Sequence, residues 1–127
     1  MRAPPEPKRI TSISELWEPI QERVRNVLAA MKARGFDPII YESRRTTERQ
    51  AWLWGIGRLY QKHRKPVTFL DGVDQLSKHQ PGKAVDVVSR SQLWSAPAKF
   101  WTALKTEARK VGMHTLAFEK CHIEWRG

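Results

Sequence analysis

The sequence predicts an α+β domain in which about three helices accompany a small antiparallel sheet. Apolar residues recur at helical spacing in separate stretches, short β-branched runs lie between and after them, and Gly and Pro stand at the boundaries. A chain of 127 residues with 40% hydrophobic residues is long enough for one modest core. We therefore expect a flexible, proline-rich N-terminal arm over residues 1–12 and a single folded domain over residues 13–127.

The first helix is predicted from an apolar stripe that begins at Leu16. Pro19 places the start of the helix near Trp17, and Gly35 stands where a C-terminal stop belongs. Residues 37–43, DPIIYES, follow as a short strand. The residues of the stripe are Leu16, Ile20, Val24, Val27, Leu28 and Met31.

A second helix is predicted over residues 48–62. Thr47 and Gln50 have the spacing of a capping box, in which each side chain bonds a free backbone N–H of the first turn. Gly55 and Gly57 weaken the later half of this helix because glycine is a poor helix former.

The second half of the domain begins with a long connection over residues 63–78, which contains at most one short strand, VTFL. A connection of this length in a small domain is more often functional than idle. It leads to a strand over residues 83–88, KAVDVV, and Ser95 and Pro97 then open a third helix. Residues 114–127 read as two short strands or a hairpin. The third helix carries one apolar face: Phe100, Trp101, Leu104, Ala108 and Val111.

The charge of the chain points to an anionic partner. The formal net charge is +10, which favours nucleic acid, an acidic membrane surface or an acidic cell-wall polymer. A single cysteine excludes an internal disulfide. The N-terminal stretch has no apolar signal region, and no segment approaches the roughly 18 apolar residues of a membrane span. We expect a monomer that is made in the cytoplasm without a signal peptide or transmembrane segment.

Residues 120–125, KCHIEW, have the alternation of a strand with one chemical face. Cys121, Ile123 and Trp125 alternate with His122 and Glu124, so one face is apolar and the other carries an imidazole and a carboxylate. We expect the second face to line a cleft.

A carboxylate in the preceding strand needs a partner. Asp86 lies in an apolar run, where a buried charge is costly unless something compensates it. Two neighbouring strands could present Asp86 and His122 to the same point, and a turn at Pro81 and Gly82 would fold His79 back towards them. Two histidines and one carboxylate are the ligand number of a catalytic zinc site, although their spacing matches no short zinc motif. A lysine partner for Asp86 remains the alternative.

Three stretches resemble motifs of the M15 family of zinc peptidases, which cleave peptidoglycan peptides. SKHQPGKAVD over residues 77–86 is similar to Ser-x-His-x-x-Gly-x-Ala-x-Asp, and EKCHIEW over residues 119–125 is similar to Asp/Glu-x-x-His. Upstream, YESRRTTERQAWLWGIGR over residues 41–58 resembles the family's arginine-containing helix start and its later Gly-Arg pair. The motifs occur in family order and imply the Hedgehog-like fold of the zinc D-Ala-D-Ala peptidases, with the catalytic domain over residues 13–127.

The resemblance also implies the metal site. Zn²⁺ would be held by His79, Asp86 and His122, with Glu119 as the general base. Glu124 competes for the role of base, but we prefer Glu119 and expect Glu124 to hold the imidazole of His122. A turn should separate Glu119 from His122, since strict strand alternation would point them in opposite directions.

Other matching residues carry weaker implications. Arg45 implies recognition of a substrate carboxylate, a role that Arg44 could also take. Ser77 could bond the substrate or orient a ligand, with a local turn as its alternative. Gln50 also matches the family, but the capping box accounts for it. Cys121 is expected to face the core as a small apolar group.

The function implied by the resemblance is hydrolysis of peptidoglycan stem peptides. We favour an endolysin-like L-alanyl-D-glutamate endopeptidase that degrades the cell wall, acts at the wall or periplasm after phage-type release, and is attracted by the anionic envelope. A D-alanyl-D-alanine carboxypeptidase is the alternative within the family, because Glu119 stands where endopeptidases more often have aspartate. Outside the family, a basic nucleic-acid-binding module is the alternative, but no signature accompanies its charge and no nucleic acid is expected.

Overall fold

The computed structural model describes residues 2–127, and within this range it contains three α-helices and a four-stranded antiparallel sheet. The predicted α+β fold class is confirmed. A short 3-10 turn at Ile13–Glu15 precedes the first helix. In chain order the elements are α1 (Glu18–Ala33), β1 (Pro38–Glu42), α2 (Thr47–Gly55), β2 (Ala84–Ser89), α3 (Ala98–Lys110), β3 (His114–Leu116) and β4 (Glu119–Glu124).

Helix α1 forms where the apolar stripe predicts it. Trp17 is its N-cap residue, and Pro19 lies in the first turn, where its missing N–H has no intrahelical partner to lose. The chain leaves the helix through Gly35, whose φ of +90° is favourable only for glycine. The stripe faces the interior through four fully buried residues: Ile20, Val24, Val27 and Met31.

Helix α2 differs from its prediction at both ends. Its N-cap is Thr46, whose side chain accepts a hydrogen bond from the backbone N–H of Arg49, so the predicted capping box of Thr47 and Gln50 is wrong. The helix ends at Gly55, well short of residue 62. A Cβ atom at Gly55 would lie within 2.7 Å of the Tyr60 ring, so the chain turns back tightly over this glycine.

The sheet has the order β1-β2-β4-β3, and all of its neighbouring strands are antiparallel. Every residue of the central strand β2 is buried. The register places Asp86 directly opposite Glu42 on one side and opposite His122 on the other. Three polar side chains, those of Glu42, Asp86 and His122, therefore form a row across the middle of the sheet.

The hydrophobic core lies between the sheet and two of the helices. Helices α1 and α3 pack on each other, and both contact the sheet. Fully buried Val85 and Val87 of β2 and Ile123 of β4 join this core. The sequence predicts at most one short strand in the long connection, at residues 67–70, and no strand forms there.

The N-terminal arm lies along the domain. The carbonyl of Ile10 accepts a hydrogen bond from the backbone N–H of Ser43 at 2.8 Å, and the Glu6 carboxylate lies 3.0 Å from Arg49. Met1 belongs to the predicted arm but lies outside the described residues. The flexibility of the arm and the domain boundary after residue 12 stay predictions. Among residues 2–127, no helix is both long and apolar enough to cross a membrane.

Candidate metal centre

The pairing of β2 with β4 brings together the two ligand candidates that lie on strands. Asp86 and His122 are partners in the antiparallel register, and their Oδ1 and Nδ1 atoms lie 3.5 Å apart. Both residues are 5% exposed. The strand alternation used in the sequence analysis therefore places both side chains on one face.

The third candidate, His79, reaches the strands through a tight turn. The N–H of Gly82 donates to the carbonyl of His79 at 3.1 Å, and the φ of Gly82 is +76°. A Cβ atom on Gly82 would lie 2.8 Å from the backbone nitrogen of Trp17, so only glycine fits this close approach. The turn leaves His79 2% exposed, with Nε2 3.2 Å from Asp86 Oδ1.

Hydrogen bonds fix which nitrogen of each imidazole faces Asp86. His79 Nδ1 lies 2.9 Å from the carbonyl oxygen of Ser43, which can only accept, so Nδ1 carries the proton and Nε2 keeps its lone pair. His122 Nε2 lies 2.8 Å from Glu124 Oε1 and donates to that carboxylate, which leaves Nδ1 with the lone pair. Two imidazole lone pairs and a carboxylate oxygen therefore converge.

This arrangement fits a divalent metal ion such as zinc. One ligand atom from each of His79, Asp86 and His122 lies within 4.8 Å of the other two. His79 Nε2 and Asp86 Oδ1 are fully buried and have no hydrogen-bond partner, a costly state that a cation between them would relieve. Catalytic zinc sites typically use two neutral imidazoles and one carboxylate as ligands. In such sites a hydrogen bond holds each imidazole through the nitrogen that does not bind the metal.

The electrostatics of the cluster show how strongly it favours a positive charge. Burial alone would raise the pKa of Asp86, but positive charge on the imidazoles of His79 and His122 holds it far below its ordinary value. A metal ion would supply that positive charge when the two imidazoles are neutral ligands. Burial alone would lower the pKa of His122, but Asp86, Glu119 and Glu124 raise it above its ordinary value. Asp86 is thus a carboxylate at neutral pH, and its charge requires a cationic neighbour.

Glu119 borders the cluster from the start of β4. Its Oε2 lies 4.0 Å from His122 Nδ1, and its side chain is 43% exposed. Burial and the negative charge of Asp86 raise the pKa of Glu119. The turn predicted between Glu119 and His122 is wrong, because one strand contains both. The register against β3 shifts between Thr115 and Leu116 instead, and this irregularity lets Glu119 approach the imidazole.

Glu124 contacts the outer side of the His122 imidazole. Besides accepting from His122, its carboxylate accepts a hydrogen bond from Arg126 Nε at 2.8 Å. Burial alone would raise the pKa of Glu124, but the bonds from Arg126 and His122 lower it overall. Glu124 lies on the far side of the ring from the convergence point, whereas Glu119 lies on the near side.

Glu42 also belongs to the site, although the sequence did not predict it; it is 2% exposed and lies next to Asp86 in the sheet. Two neighbouring buried carboxylates repel each other, and Arg45 separates their charges. Its Nη2 donates to Glu42 Oε1 at 2.7 Å and lies 3.7 Å from Asp86 Oδ2. Arg49 pairs with the second oxygen of Glu42. The only signal in the sequence was that Glu42 lies near the end of a predicted strand, two residues before a pair of arginines.

Gln50 is a buried residue next to the site instead of the capping residue predicted from the sequence. It is fully buried, accepts a hydrogen bond from Arg45 Nη1 at 2.8 Å and donates to the carbonyl of Leu70 at 2.7 Å. It thereby connects the arginine beside the metal cluster to the long connection. Arg44, the alternative to Arg45, pairs instead with Glu15 at 2.9 Å and does not line the cleft.

Ser77 and Cys121 lie close to the ligands. The Ser77 hydroxyl accepts a hydrogen bond from the backbone N–H of His79 at 3.2 Å, which is the local turn that the sequence analysis kept as an alternative. Cys121 is buried and belongs to the core, yet its sulfur lies within 4.8 Å of carboxylate oxygens of Asp86 and Glu119. Burial raises the pKa of its thiol to about 12.

The metal-ligand candidates face a cleft of about 1060 Å³. Its walls come from β1, α2, the long connection, β2 and the hairpin of β3 and β4. Arg45, Ser77, the three metal-ligand candidates, Glu119 and Glu124 all line it. Large apolar side chains that stay exposed surround it: Phe69, Leu76, Trp94 and Phe118. A cleft with polar groups at its centre and apolar surface around them is typical of a binding site for an extended ligand.

Comparison with protein families places the fold and the cleft in context. A family model described as VanY, D-alanyl-D-alanine carboxypeptidase, matches residues 14–124. No curated protein matches the chain in sequence.

Solved structures of peptidoglycan peptidases share the fold. A VanY D,D-pentapeptidase variant crystallised with Zn(II) aligns with a TM-score of 0.67 and 20% identity, over 88% of this chain and 73% of that chain. The LdcB LD-carboxypeptidase aligns with a TM-score of 0.64 and 17% identity, over 96% and 65% of the two chains. The L-Ala D-Glu endopeptidase ChiX of Serratia marcescens aligns with a TM-score of 0.53 and 16% identity, over 92% and 89%.

Proposed function

The chain belongs to the VanY family of D-alanyl-D-alanine carboxypeptidases, and from this premise we propose that it is a zinc-dependent hydrolase of peptidoglycan stem peptides. The observation that carries the proposal is the convergence of ligand atoms from His79, Asp86 and His122 in the wall of a large cleft. Zinc is the metal in the crystallised VanY neighbour, and the donor set of this chain fits the same ion.

The residues around the ligands prepare them for this role. Bound zinc would lower the pKa of a coordinated water and polarise the scissile carbonyl. Ser43 and Glu124 hold the two imidazoles through their outer nitrogens, so that the inner lone pairs point at Asp86. The ligands therefore need little rearrangement when the metal binds.

Glu119 acts as the general base in this proposal. It takes the proton from the attacking water and passes it to the nitrogen of the leaving amine. Its position 4.0 Å from His122 Nδ1 puts the carboxylate beside the ligand cluster, and its exposed fraction leaves it open to the cleft.

Arg45 is proposed to bind a carboxylate of the substrate. It lines the cleft within 3.7 Å of Asp86, so a carboxylate held by Arg45 would lie near the scissile bond. Glu42 and Gln50 fix its guanidinium through both terminal nitrogens. Ser77 is proposed to support the site through the N–H of His79 and to bond the substrate from the edge of the cleft.

For the scissile bond, we propose the L-alanyl-D-glutamate linkage, the activity for which ChiX is named. The cleft extends from Glu6 of the arm to Lys120 of β4, which is room for peptide on both sides of the ligands. The net charge of +10 would attract the enzyme to an anionic envelope, and phage-type release would bring it there.

The second candidate reaction is removal of a terminal D-alanine. Two observations favour it: the description of the family, and the position of Arg45, which would suit a terminal carboxylate close to the metal. The two reactions leave different products. An endopeptidase leaves L-alanine on the sugar and releases a peptide that begins with D-glutamate, whereas a carboxypeptidase releases free D-alanine.

The test is hydrolysis of defined muropeptides by the purified, zinc-loaded protein, with the products identified by mass spectrometry. We expect cleavage that stops on chelation and returns with zinc.

Glu119→Gln should keep bound zinc and lower kcat by about 10²–10⁴-fold, because the amide cannot accept the proton. Glu22→Gln, on the exposed side of α1, is the matched control. Activity that survives chelation or His122→Ala would rule out the zinc mechanism, and free D-alanine as the product would select the second reaction.

A further inference from the structure

A second groove lies beside the cleft, between α3 and the hairpin of β3 and β4. It has a volume of about 490 Å³. On the helix side, Thr102, Lys105 and Arg109 follow one another at intervals of three and four residues and therefore share one face of α3. On the hairpin side, Thr115 and Lys120 form the opposite wall.

The charge of this groove is uncompensated. Lys105, Arg109 and Lys120 line it together, and no acidic side chain does. In the described part of the chain, none of these three residues takes part in an ion pair. By contrast, Lys110 of the same helix pairs with Glu107. Like charges on one helix face repel each other, so an anion in the groove would relieve this repulsion.

The groove continues from the catalytic cleft. Trp101, Leu116 and Lys120 line both cavities, and Lys120 directly follows Glu119. Trp101 is buried and supplies a rigid apolar floor, while Lys120 is exposed at the junction. The two cavities are therefore neighbours, and the basic groove would be within reach of a peptide that extends past Glu119 out of the cleft.

We propose that this basic groove binds the carboxylates of the stem peptide beyond the scissile bond. The proposal rests on the proposed function, since it takes the peptide in the cleft as its starting point. Charge complementarity and the shared wall favour an acidic peptide as the occupant. Lys105 and Arg109 contact side-chain or terminal carboxylates of the peptide. The hydroxyls of Thr102 and Thr115 donate hydrogen bonds to its carbonyls. The groove thereby contributes to substrate affinity without touching the reacting atoms.

The test compares two variants with equal loss of charge. Lys105→Gln/Arg109→Gln removes two cations of the groove, and Lys99→Gln/Lys32→Gln removes two exposed cations outside it. With a muropeptide that carries carboxylates on both sides of the scissile bond, the groove variant should raise KM about fivefold with unchanged kcat, as expected for two exposed charge contacts. With a short neutral peptide that contains the scissile bond alone, both variants should match the wild type.

Binding is measured separately, so that failure of the groove and failure of the catalytic proposal can be told apart. Calorimetry is done in the Glu119→Gln background with the same acidic muropeptide. The groove substitutions should weaken binding about fivefold. Added salt should weaken the binding of Glu119→Gln alone more than that of Glu119→Gln with the groove substitutions. Equal effects of the two charge-matched variants would overturn the proposal. Binding to purified cell walls tests the other anionic partner. The proposal would also be overturned if the groove substitutions weakened binding only to cell walls that carry a phosphate polymer, and if this difference disappeared when the polymer was removed. Absence of hydrolysis in the wild type would reject the catalytic proposal and leave the binding comparison decisive for the groove.

Discussion

Asp86 and His122 face each other directly across the pairing of β2 and β4, with Oδ1 and Nδ1 3.5 Å apart. This relationship is set by strand register, so it belongs to the fold before any metal binds. His79 approaches the same oxygen to 3.2 Å from a turn instead of a strand. The cluster thus combines two candidate ligands on a rigid sheet with one candidate ligand on a loop that glycine and backbone hydrogen bonds hold in place.

Asp86→Asn should abolish stabilisation of the protein by zinc. The amide keeps the shape of the side chain but offers a neutral, weaker ligand to the ion. At zinc concentrations about 100-fold above Kd, the wild type should gain about 2.7 kcal/mol in its free energy of unfolding, and the variant should gain almost nothing. Urea unfolding with and without zinc measures the gain. Asp74→Asn, at an exposed position outside the cleft, should keep the full effect. Equal stabilisation of both variants would contradict the assignment of Asp86.

Glu124→Ala should weaken zinc binding by about 10–100-fold, the usual loss when a carboxylate that holds a ligating histidine is removed. The His122 imidazole then loses the acceptor 2.8 Å from its Nε2 and is free to rotate. Glu124→Gln retains an acceptor oxygen and should recover part of the affinity. Competition with a chromogenic chelator measures both values. If Glu124 were the base instead, both variants would keep their zinc affinity and lose kcat.

The sequence was sufficient to predict that the side chains of His79, Asp86 and His122 converge, because their positions follow from local rules. Strand alternation puts His122 and Glu124 on one face, and Pro81 and Gly82 predict the turn that returns His79 to Asp86. The resemblance to a known family added the order of the motifs, and the match of the family model over residues 14–124 confirms that the chain belongs to this family. The roles of the individual residues stay predictions.

The surroundings of the ligands could not be predicted from the sequence, because they depend on pairings between distant segments. The register of β1 against β2 puts Glu42 beside Asp86, and a single sequence contains no information on this register. Gln50 fits a local capping pattern, but tertiary contacts with Arg45 and Leu70 determine its position. Helix α2 ends early for a similar reason, since Tyr60 packs over Gly55.

Glu42→Gln should lower the free energy of unfolding by about 3–5 kcal/mol, the usual cost of removing one partner from a buried ion pair. Glu42 is the shared acceptor of Arg45 and Arg49, and both guanidinium groups are at least nine-tenths buried. Without its charge, two buried cations lose their main compensation. Urea unfolding at neutral pH measures the difference. Glu22→Gln breaks an exposed pair with Arg25 and should cost less than about 1 kcal/mol. Similar values for the two variants would contradict the importance of the buried network.

Asp37 should make a pH-dependent contribution to stability at the end of the sheet far from the ligands. It accepts hydrogen bonds from the Ser89 hydroxyl at 2.7 Å and the Ser91 N–H at 2.9 Å, and these bonds lower its pKa below the ordinary value of 3.8. A carboxylate with a lowered pKa in the folded state stabilises the protein above the unfolded-state value of 3.8, and the stabilisation disappears as the pH falls through the folded-state pKa. Asp37→Asn should therefore lower Tm at neutral pH, and its difference from the wild type should shrink as the pH drops below 3.8. Asp74→Asn removes the same charge without breaking such bonds, so its Tm should follow the wild type across the range. A Tm difference for Asp37→Asn that stays constant in acid would mean that the bonds do not depend on its charge.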